Sequence, residues 1–264
     1  MKYTNKVVWI TGASSGIGEA LAYEFARAGA RLVLSGRNKQ ELLRVNKSCT
    51  DIGAEGFVCP LDLSDTSSIL QATAQVRSQF GKVDYLINNG GISQRSTIME
   101  TQLEVDRRIM EVNYFGSITI TKSVLPLMIE NGGGHVIVIS SIAGKFGVPV
   151  RSAYCASKHA LQGFFDTLRL ELENKNIKVT IVCPGRIKTN VSINALEGDG
   201  KKHGVMDSGQ EKGMTVEKCA KKIMKAIHTK RREVHIGLAE SFLAEVRRFW
   251  PWMFFIIARK VNPM

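Results

Sequence analysis

Short apolar, β-branched runs alternate with longer stretches of helical periodicity down almost the whole chain, and this limits the fold more than any other feature. The runs are KVVWIT (6–11), RLVLS (31–35), EGFVCP (55–60), VDYLIN (83–88), HVIVIS (135–140), KVTIVC (178–183) and EVHIG (233–237). Amphipathic segments at 16–29, 38–52, 64–80, 101–131, 152–175 and 215–229 separate them. Runs as apolar as VIVIS read as strands buried on both faces. Strand–helix alternation then predicts a parallel sheet with helices on both sides, and right-handed crossovers make it a doubly wound α/β fold. No proline-rich linker interrupts the 264 residues, so a single domain over about 1–240 is expected. Two regions break the rhythm: the polar, Gly-rich 190–214, expected to be a mobile loop or lid, and the extension 241–264 with its apolar run RRFWPWMFFIIARK (247–260).

Composition removes several classes of function. No apolar run reaches 18 residues, so no spanning helix is expected, and the N-terminus does not read as a signal peptide. Five scattered cysteines form no CxxC pair or Cys/His cluster in sequence, which argues against a metal site and for free thiols in a reducing, cytoplasmic setting. A net charge of +12 allows three readings: attraction of a phosphorylated cofactor, adhesion to an anionic membrane, or nucleic-acid binding. No nucleic-acid reader motif is present, so no nucleic-acid partner is expected.

The first strand runs into TGASSGIG (11–18) and then a helix. Glycines there would let backbone N–H groups approach a pyrophosphate at the positive helix end, although the same loop could be a plain strand–helix connection. The spacing G-x-x-x-G-x-G is not the G-x-G-x-x-G of many dinucleotide folds, and no Lys-Ser/Thr follows as in a Walker A loop. The second strand ends at Gly36 and Arg37. An acid there would favour NAD, whereas a guanidinium suits the 2′-phosphate of NADP(H) unless Arg37 merely opens a solvated helix.

Tyr154 and Lys158 lie four apart in a helical stretch and so share a face. A phenol is a poor base at neutral pH, and a neighbouring ammonium would lower its pKa. The pair could then act as general acid or base on a carbonyl or alcohol, though the same spacing arises by chance on helix surfaces. Ser140 and Ser141 end a strand, where a hydroxyl could donate to a carbonyl oxygen as charge builds.

The ordered set TGASSGIG, NNGG (88–91), Asn113, SSIAG, Y-x-x-x-K and PGRIKT (184–189) resembles the short-chain dehydrogenase/reductase family over about residues 5–240. The resemblance implies a single Rossmann-type domain with a seven-stranded parallel sheet. It implies that Gly12, Ser14, Ser15, Gly16, Ile17 and Gly18 surround the pyrophosphate and adenosine, that Arg37 meets the 2′-phosphate, and that Asp62 and Leu63 flank the adenine. Asn89 and Gly90 would support the ribose, the Gly90 position normally being Ala in the family. Ser141, thirteen residues before Tyr154 as in the family, is the implied catalytic and substrate-orienting serine. Tyr154 would touch both cofactor and substrate, Lys158 would bind the nicotinamide ribose, and Asn113 would hold a water in the proton relay. Pro184, Gly185, Ile187 and Thr189 would contact the nicotinamide end. NNGGISQRS and YCASKHALQGFF are similar to the subgroup near the 11β-hydroxysteroid dehydrogenases, whose members often carry an N-terminal membrane anchor.

These features together predict an NADP(H)-dependent carbonyl/alcohol oxidoreductase, with a catalytically silent dinucleotide-binding sensor or scaffold as the alternative. The expected substrate is a small carbonyl or alcohol compound, with Met206, Met214, Phe242 and Leu243 hinting at lipophilic character. The family resemblance implies a homodimer or homotetramer. The 247–260 run leaves three roles open: peripheral membrane contact, subunit contact or cover for the cleft.

Overall fold

The computed structural model describes residues 2–237 and 239–259. Lys260 of the apolar–basic run, and the remainder of the 241–264 extension beyond it, lie outside the described residues. In chain order the elements are β1 (Val7–Thr11), α1 (Gly16–Arg27), β2 (Arg31–Ser35), α2 (Lys39–Asp51), β3 (Gly56–Val58), α3 (Thr66–Phe80), β4 (Tyr85–Asn88), α4 (Leu103–Met110), a π turn (Glu111–Phe115) and α5 (Gly116–Glu130). Then follow β5 (Gly134–Ile139), a 3₁₀ turn (Ile142–Gly144), α6 (Ser152–Glu171), a 3₁₀ turn (Glu173–Lys175), β6 (Ile177–Pro184), α7 (Ser208–Glu211), α8 (Val216–His228), β7 (Glu233–Ile236), α9 (Ala239–Phe249) and α10 (Pro251–Ala258).

The strands make one seven-stranded sheet in the order β3-β2-β1-β4-β5-β6-β7, parallel at every pairing. Successive side chains point to opposite faces, and both faces are covered. Val8, Ile10, Leu32 and Ile137 pack beneath α1, α2 and α8, against Leu21, Phe25, Leu42 and Ile223. Val7, Trp9, Val33 and Val136 face α3, α5 and α6, against Ile69, Ile120 and Phe165. This is why the strands read as continuous apolar runs and not as alternating ones. A third, smaller cluster joins Ala244, Val246 and Phe254 of α9 and α10 to Ile142 and Phe146.

The strand order reverses between β1 and β4, which opens a crevice at their carboxyl ends. Every loop with a sequence-predicted role leaves the sheet at that end.

The amphipathic segment 101–131 is helical from Leu103 to Glu130 but widens into the π turn around Asn113. Ser117 Oγ donates to the Asn113 carbonyl at 2.8 Å and so satisfies a group in that turn. Such turns are frequent at functional sites.

Candidate active site

β1 runs into a loop that turns at positive φ, 64° at Gly12 and 59° at Gly16, before α1 begins. A Cβ on Gly12 would stand 2.8 Å from the Gly90 Cα, and one on Gly18 would stand 2.2 Å from the Gly12 carbonyl oxygen. Backbone therefore packs on backbone, and the loop tolerates no side chain at these positions. Thr11 and Asn89 join this loop to the one after β4. Thr11 Oγ1 accepts from the N–H groups of Asn89 and Gly90 at 3.0 Å each. Asn89 Nδ2 donates to the Thr11 and Gly12 carbonyls at 3.0 and 3.1 Å. The result is a cradle at the positive end of α1, with Ser15 at its extended N-cap and Ile17 in the first turn. A pyrophosphate fits such a cradle.

Further along the crevice, Ser14 neighbours Gly36, and Arg37 is exposed just past β2. Burial pushes the Asp62 carboxyl up. The hydrogen bonds from Ser64, at 2.9 and 2.7 Å, with the charges of Arg37 and Arg108, outweigh that and hold it below the ordinary carboxylate range. Leu63 closes this wall: its carbonyl oxygen would lie 2.3 Å from a Cβ on Gly116, which explains glycine in N-Y-F-G. On the opposite side Thr189 Cγ2 would lie 3.2 Å from a Cβ on Gly16, so the Pro184–Thr189 loop reaches the glycine loop. That loop is fixed by Gly185 N donating to Ile236 O at 2.7 Å and by pairing of Ile187 with Met214.

α6 carries Tyr154 and Lys158 one turn apart, with the Lys158 Nζ 5.7 Å from the Tyr154 ring centroid. The two serines after β5 separate cleanly. Ser141 lines the cleft together with Tyr154, accepts from Ala143 N at 3.1 Å and donates to Pro184 O at 3.4 Å. Ser140 turns inward, donating to the Lys158 carbonyl at 3.1 Å and accepting from Gln162 Nε2 at 2.9 Å. Lys158 is buried and donates to Ile139 O at 2.9 Å, and burial lowers its pKa to about 8. Asn113, on the π turn, accepts from Ile92 N at 2.8 Å and donates to Ile92 O at 2.9 Å and Ser157 Oγ at 3.0 Å. A Cβ on Gly91 would lie 2.9 Å from Asn113 Oδ1 and 3.7 Å from Lys158 Nζ, so this corner also needs glycine.

One electrostatic expectation fails. Lys158 was to lower the phenol pKa, yet the Tyr154 hydroxyl is held above its ordinary value. Burial is the main cause, and it outweighs the Ser141 hydroxyl and the more distant charges of Arg151 and Arg95. The Lys158 ammonium is itself weakened by desolvation and spends its hydrogen bond on Ile139. At neutral pH the phenol is therefore protonated, ready to donate.

Beyond Ser141 and Tyr154 lies a cleft of about 1000 Å³, counting its open mouth, walled by Ile142, Phe146, Val148, Leu243 and Phe254. Its floor holds a buried charge cluster. Asp207 Oδ2 accepts from Arg95 Nε at 2.8 Å, Arg95 Nη2 at 2.6 Å and Arg151 Nη2 at 3.0 Å. The 190–214 segment is thus tied down at Asp207, not free along its length, and Leu196 pairs with Gln94 as a second tether. Thr11, Gly91, Arg95, Arg151, Asp207 and Gln162 escaped the sequence reading. Thr11, Gly91, Arg95 and Gln162 stand inside stretches quoted for the resemblance, whereas Arg151 and Asp207 stand in none. Strand pairing also gathers Cys183, Glu233 and His235, whose ligand-type atoms lie within 4.8 Å of one another. There Glu233 is already engaged by His235 and, at 2.8 Å, by the Lys145 ammonium. All five cysteines are free and buried.

The chain matches the family model described as short chain dehydrogenase over residues 6–200. It is 45% identical over 260 residues to the Dehydrogenase/reductase SDR family protein 7-like of Drosophila melanogaster, covering 97% of this chain and 80% of that one. It is 44% identical over 258 residues to Dehydrogenase/reductase SDR family member 7B of Mus musculus, covering 96% and 80%. These relatives support the member 7/7B branch, and the narrower likeness to 11β-hydroxysteroid dehydrogenases stays a resemblance. Among solved structures, a short chain dehydrogenase/reductase from Burkholderia phymatum in complex with NAD superposes with a TM-score of 0.84 at 23% identity, covering 100% of this chain and 98% of that one. An alcohol dehydrogenase from the archaeon Thermococcus sibiricus complexed with 5-hydroxy-NADP gives 0.76 at 26% identity, covering 88% and 95%. With the parallel sheet, the glycine cradle and these matches together, the chain belongs to the short-chain dehydrogenase/reductase family of oxidoreductases.

Proposed function

We propose that this chain is an NADP(H)-dependent oxidoreductase that interconverts a carbonyl and an alcohol on a substrate with an apolar body. The observation that carries the reading is the meeting of Ser141, Tyr154 and Lys158 beside an apolar cleft: Ser141 and Tyr154 both line it, and the Lys158 Nζ lies 5.7 Å from the Tyr154 ring centre. Solved relatives bound to NAD and to an NADP derivative support a nicotinamide dinucleotide. The exposed Arg37 past β2, with no acid beside it on that strand end, favours the phosphorylated form.

In this reading Gly12, Gly16, Gly18 and the α1 N-terminus hold the pyrophosphate, and Arg37 the 2′-phosphate. Ser14, Asp62 and Leu63 border the adenosine. Asn89 and Gly90 border the ribose, and Pro184, Gly185, Ile187 and Thr189 the nicotinamide. The bound dinucleotide supplies or accepts the hydride at the carbonyl carbon. The chain's own residues manage the oxygen. Ser141 donates a hydrogen bond to it, and Tyr154 delivers the hydroxyl proton as charge builds there. Lys158 holds a ribose hydroxyl and stabilises the phenolate left behind. Asn113 keeps acceptor capacity on Oδ1 for the relay that returns the proton. With its phenol protonated, Tyr154 can serve as the acid in the reducing direction, and its phenolate as the base in the reverse one.

A panel of ketones, aldehydes and secondary alcohols with NADPH, NADP⁺, NADH and NAD⁺ tests this. Turnover with NADPH is expected to fall about 10²–10⁴-fold in Tyr154→Phe while NADPH fluorescence enhancement persists. Equal turnover by wild type and Tyr154→Phe, or no NADPH binding at all, would overturn it. An Arg37→Ala variant that binds NADPH and NADH with the unchanged wild-type preference would overturn the phosphate assignment alone.

A further inference from the structure

α10 has one covered face too few. Its sequence, PWMFFIIA, carries no polar side chain, and a helix apolar all round is stable only where it is covered all round. The inner face is accounted for. Phe254 is buried with its ring 5.0 Å from that of Phe146, and Leu243, Phe254 and Ala258 line the substrate cleft. The outer face is open. Trp252 (66% exposed), Phe255 (53%) and Ile256 (52%) follow one another at the spacing of a single helical face, and the exposed Arg259 continues the same stripe. Phe249 and Trp250, 60% and 51% exposed, extend the patch across the turn from α9.

Charge identifies the cover. The Arg247 guanidinium lies 5.3 Å from the Phe255 ring centre, and that of Arg248 lies 5.4 Å from Phe249. With Arg259 they make a basic, aromatic rim. The acids of the two helices are Glu240, turned back onto the Arg186 N–H at 3.4 Å, and the exposed Glu245. A second copy seated on this patch would have to match three arginines with acids, and the hairpin leaves only Glu245 exposed for that. An anionic headgroup layer supplies the opposite charge. At eight residues α10 is about 12 Å long, far too short to cross a bilayer but suited to lie in its interface, with indoles and guanidinium groups at headgroup depth. No helix among the described residues is long and apolar enough to cross a membrane.

We propose that the α9–α10 hairpin docks this protein on an anionic phospholipid surface through Phe249, Trp250, Trp252, Phe255 and Ile256, with Arg247, Arg248 and Arg259 at the lipid phosphates. The opposite face of the same hairpin walls the cleft, so docking sets the cleft against the bilayer, where a lipophilic carbonyl compound partitions. The docking itself does not depend on the oxidoreductase reading.

The full-length chain carries its own reporter. Trp9 is wholly buried and donates to Ser35 Oγ at 2.8 Å, so its emission stays constant, whereas Trp250 and Trp252 are exposed. Vesicles of phosphatidylcholine with about a third phosphatidylserine, a fraction at which the juxtamembrane attraction of basic groups is strong, are expected to shift tryptophan emission to the blue and to co-sediment the protein. Pure phosphatidylcholine, or added salt, is expected to weaken both. The triple variant Trp252→Ser, Phe255→Ser, Ile256→Ser alters only exposed side chains. It is expected to keep the wild-type melting profile and to lose at least tenfold in partitioning. Equal partitioning of variant and wild type, or no partitioning of wild type, overturns the proposal. So does a wild-type oligomer that the triple variant dissociates in analytical ultracentrifugation while neither binds vesicles, because a second copy would then be the cover.

Discussion

The two sides of the crevice are made of different material. On the side proposed for the coenzyme, around Gly12, Gly18 and Asn89, the contacts are backbone against backbone: carbonyls, N–H groups and glycines pressed within 3 Å of where a Cβ would be. On the side proposed for the substrate, around Asp207, the contacts are long charged side chains. One carboxylate gathers guanidinium groups from 112 and 56 residues away in sequence. The first side resists any added atom. The second resists any lost charge. A site built from backbone is encoded by local residue types, whereas one built from side chains is encoded by pairings across the chain.

The largest expected effect breaks the substrate side. Asp207→Ala leaves the buried Arg95, whose side chain is 3% exposed, and the partly buried Arg151 without their carboxylate. Removing one partner of a buried ion pair costs about 3–5 kcal/mol. Urea denaturation is expected to show a loss of that size, with NADPH affinity changed less than about threefold because the cradle shares no contact with the cluster. A loss below about 1 kcal/mol would mean that the loop is held by other contacts. The effect also has a pH signature. Burial pushes the Asp207 carboxyl up, but the Arg95 hydrogen bonds and both arginine charges hold it below the usual range. Its stabilisation is then fully present above the unfolded value of about 3.9 and is lost as pH falls through the lower folded value. The gap between wild type and Asp207→Ala should close in acid.

Lys158 marks the border between the two sides and gives the next effect in size. Burial alone lowers its pKa from 10.5 to about 8. Between those values the unfolded chain binds the proton that the folded one has released, so this residue's share of stability rises as pH rises through the window. Lys158→Met removes that dependence. The stability difference between wild type and Lys158→Met should therefore shift by about 2–3 kcal/mol in favour of wild type between pH 7 and pH 10.5, read from paired urea titrations. A flat difference would show that the ammonium is solvated and would remove the argument for its weak pull on Tyr154.

What could be read in the sequence follows the same division. The strands and their helices were legible because the central strands are buried on both faces and so stay apolar, while the edge strands β3 and β7, only partly buried, keep enough β-branched and aromatic residues to be read. The glycine cradle was legible because only glycine fits it. The π turn at Asn113 was not, since the residues of 101–131 keep ordinary helical periodicity and the turn is stabilised by Ser117 and the Leu63 wall. Residue types alone left Ser140 and Ser141 equivalent. The resemblance favoured Ser141, and the distinction lies in which way each hydroxyl turns from the end of β5. The pairing of Arg95 and Arg151 with Asp207 carried no local signal, because nothing near any of them in sequence names its partner. The C-terminal run was legible as apolar and basic, but which of its faces meets the cleft is decided by distant partners, Ile142 and Phe146.

The smallest effect sharpens the contrast within the coenzyme side itself, at Gly90, where the family normally has Ala. A Cβ there would approach Leu63 Cδ1 to 2.5 Å, with the next atoms, Gly12 N and Thr11 Oγ1, at 3.4 Å. The obstruction is thus the tip of one flexible side chain, unlike Gly18, where a Cβ meets the Gly12 carbonyl, which has nowhere to go. Gly90 also has no positive φ to protect. Ala at this position gains about 0.4–1 kcal/mol through a less flexible unfolded chain, while turning the Leu63 tip within a packed wall costs a similar amount. Gly90→Ala is therefore expected to stay within about 1 kcal/mol of wild type in urea denaturation and to bind NADPH normally, with Leu63→Val in the same chain relieving any residual loss. Gly18→Ala in parallel should lose dinucleotide binding. If Gly90→Ala instead behaves like Gly18→Ala, the cradle wall is rigid through its side chains as well as its backbone, and the division between the two sides of the crevice fails at Leu63.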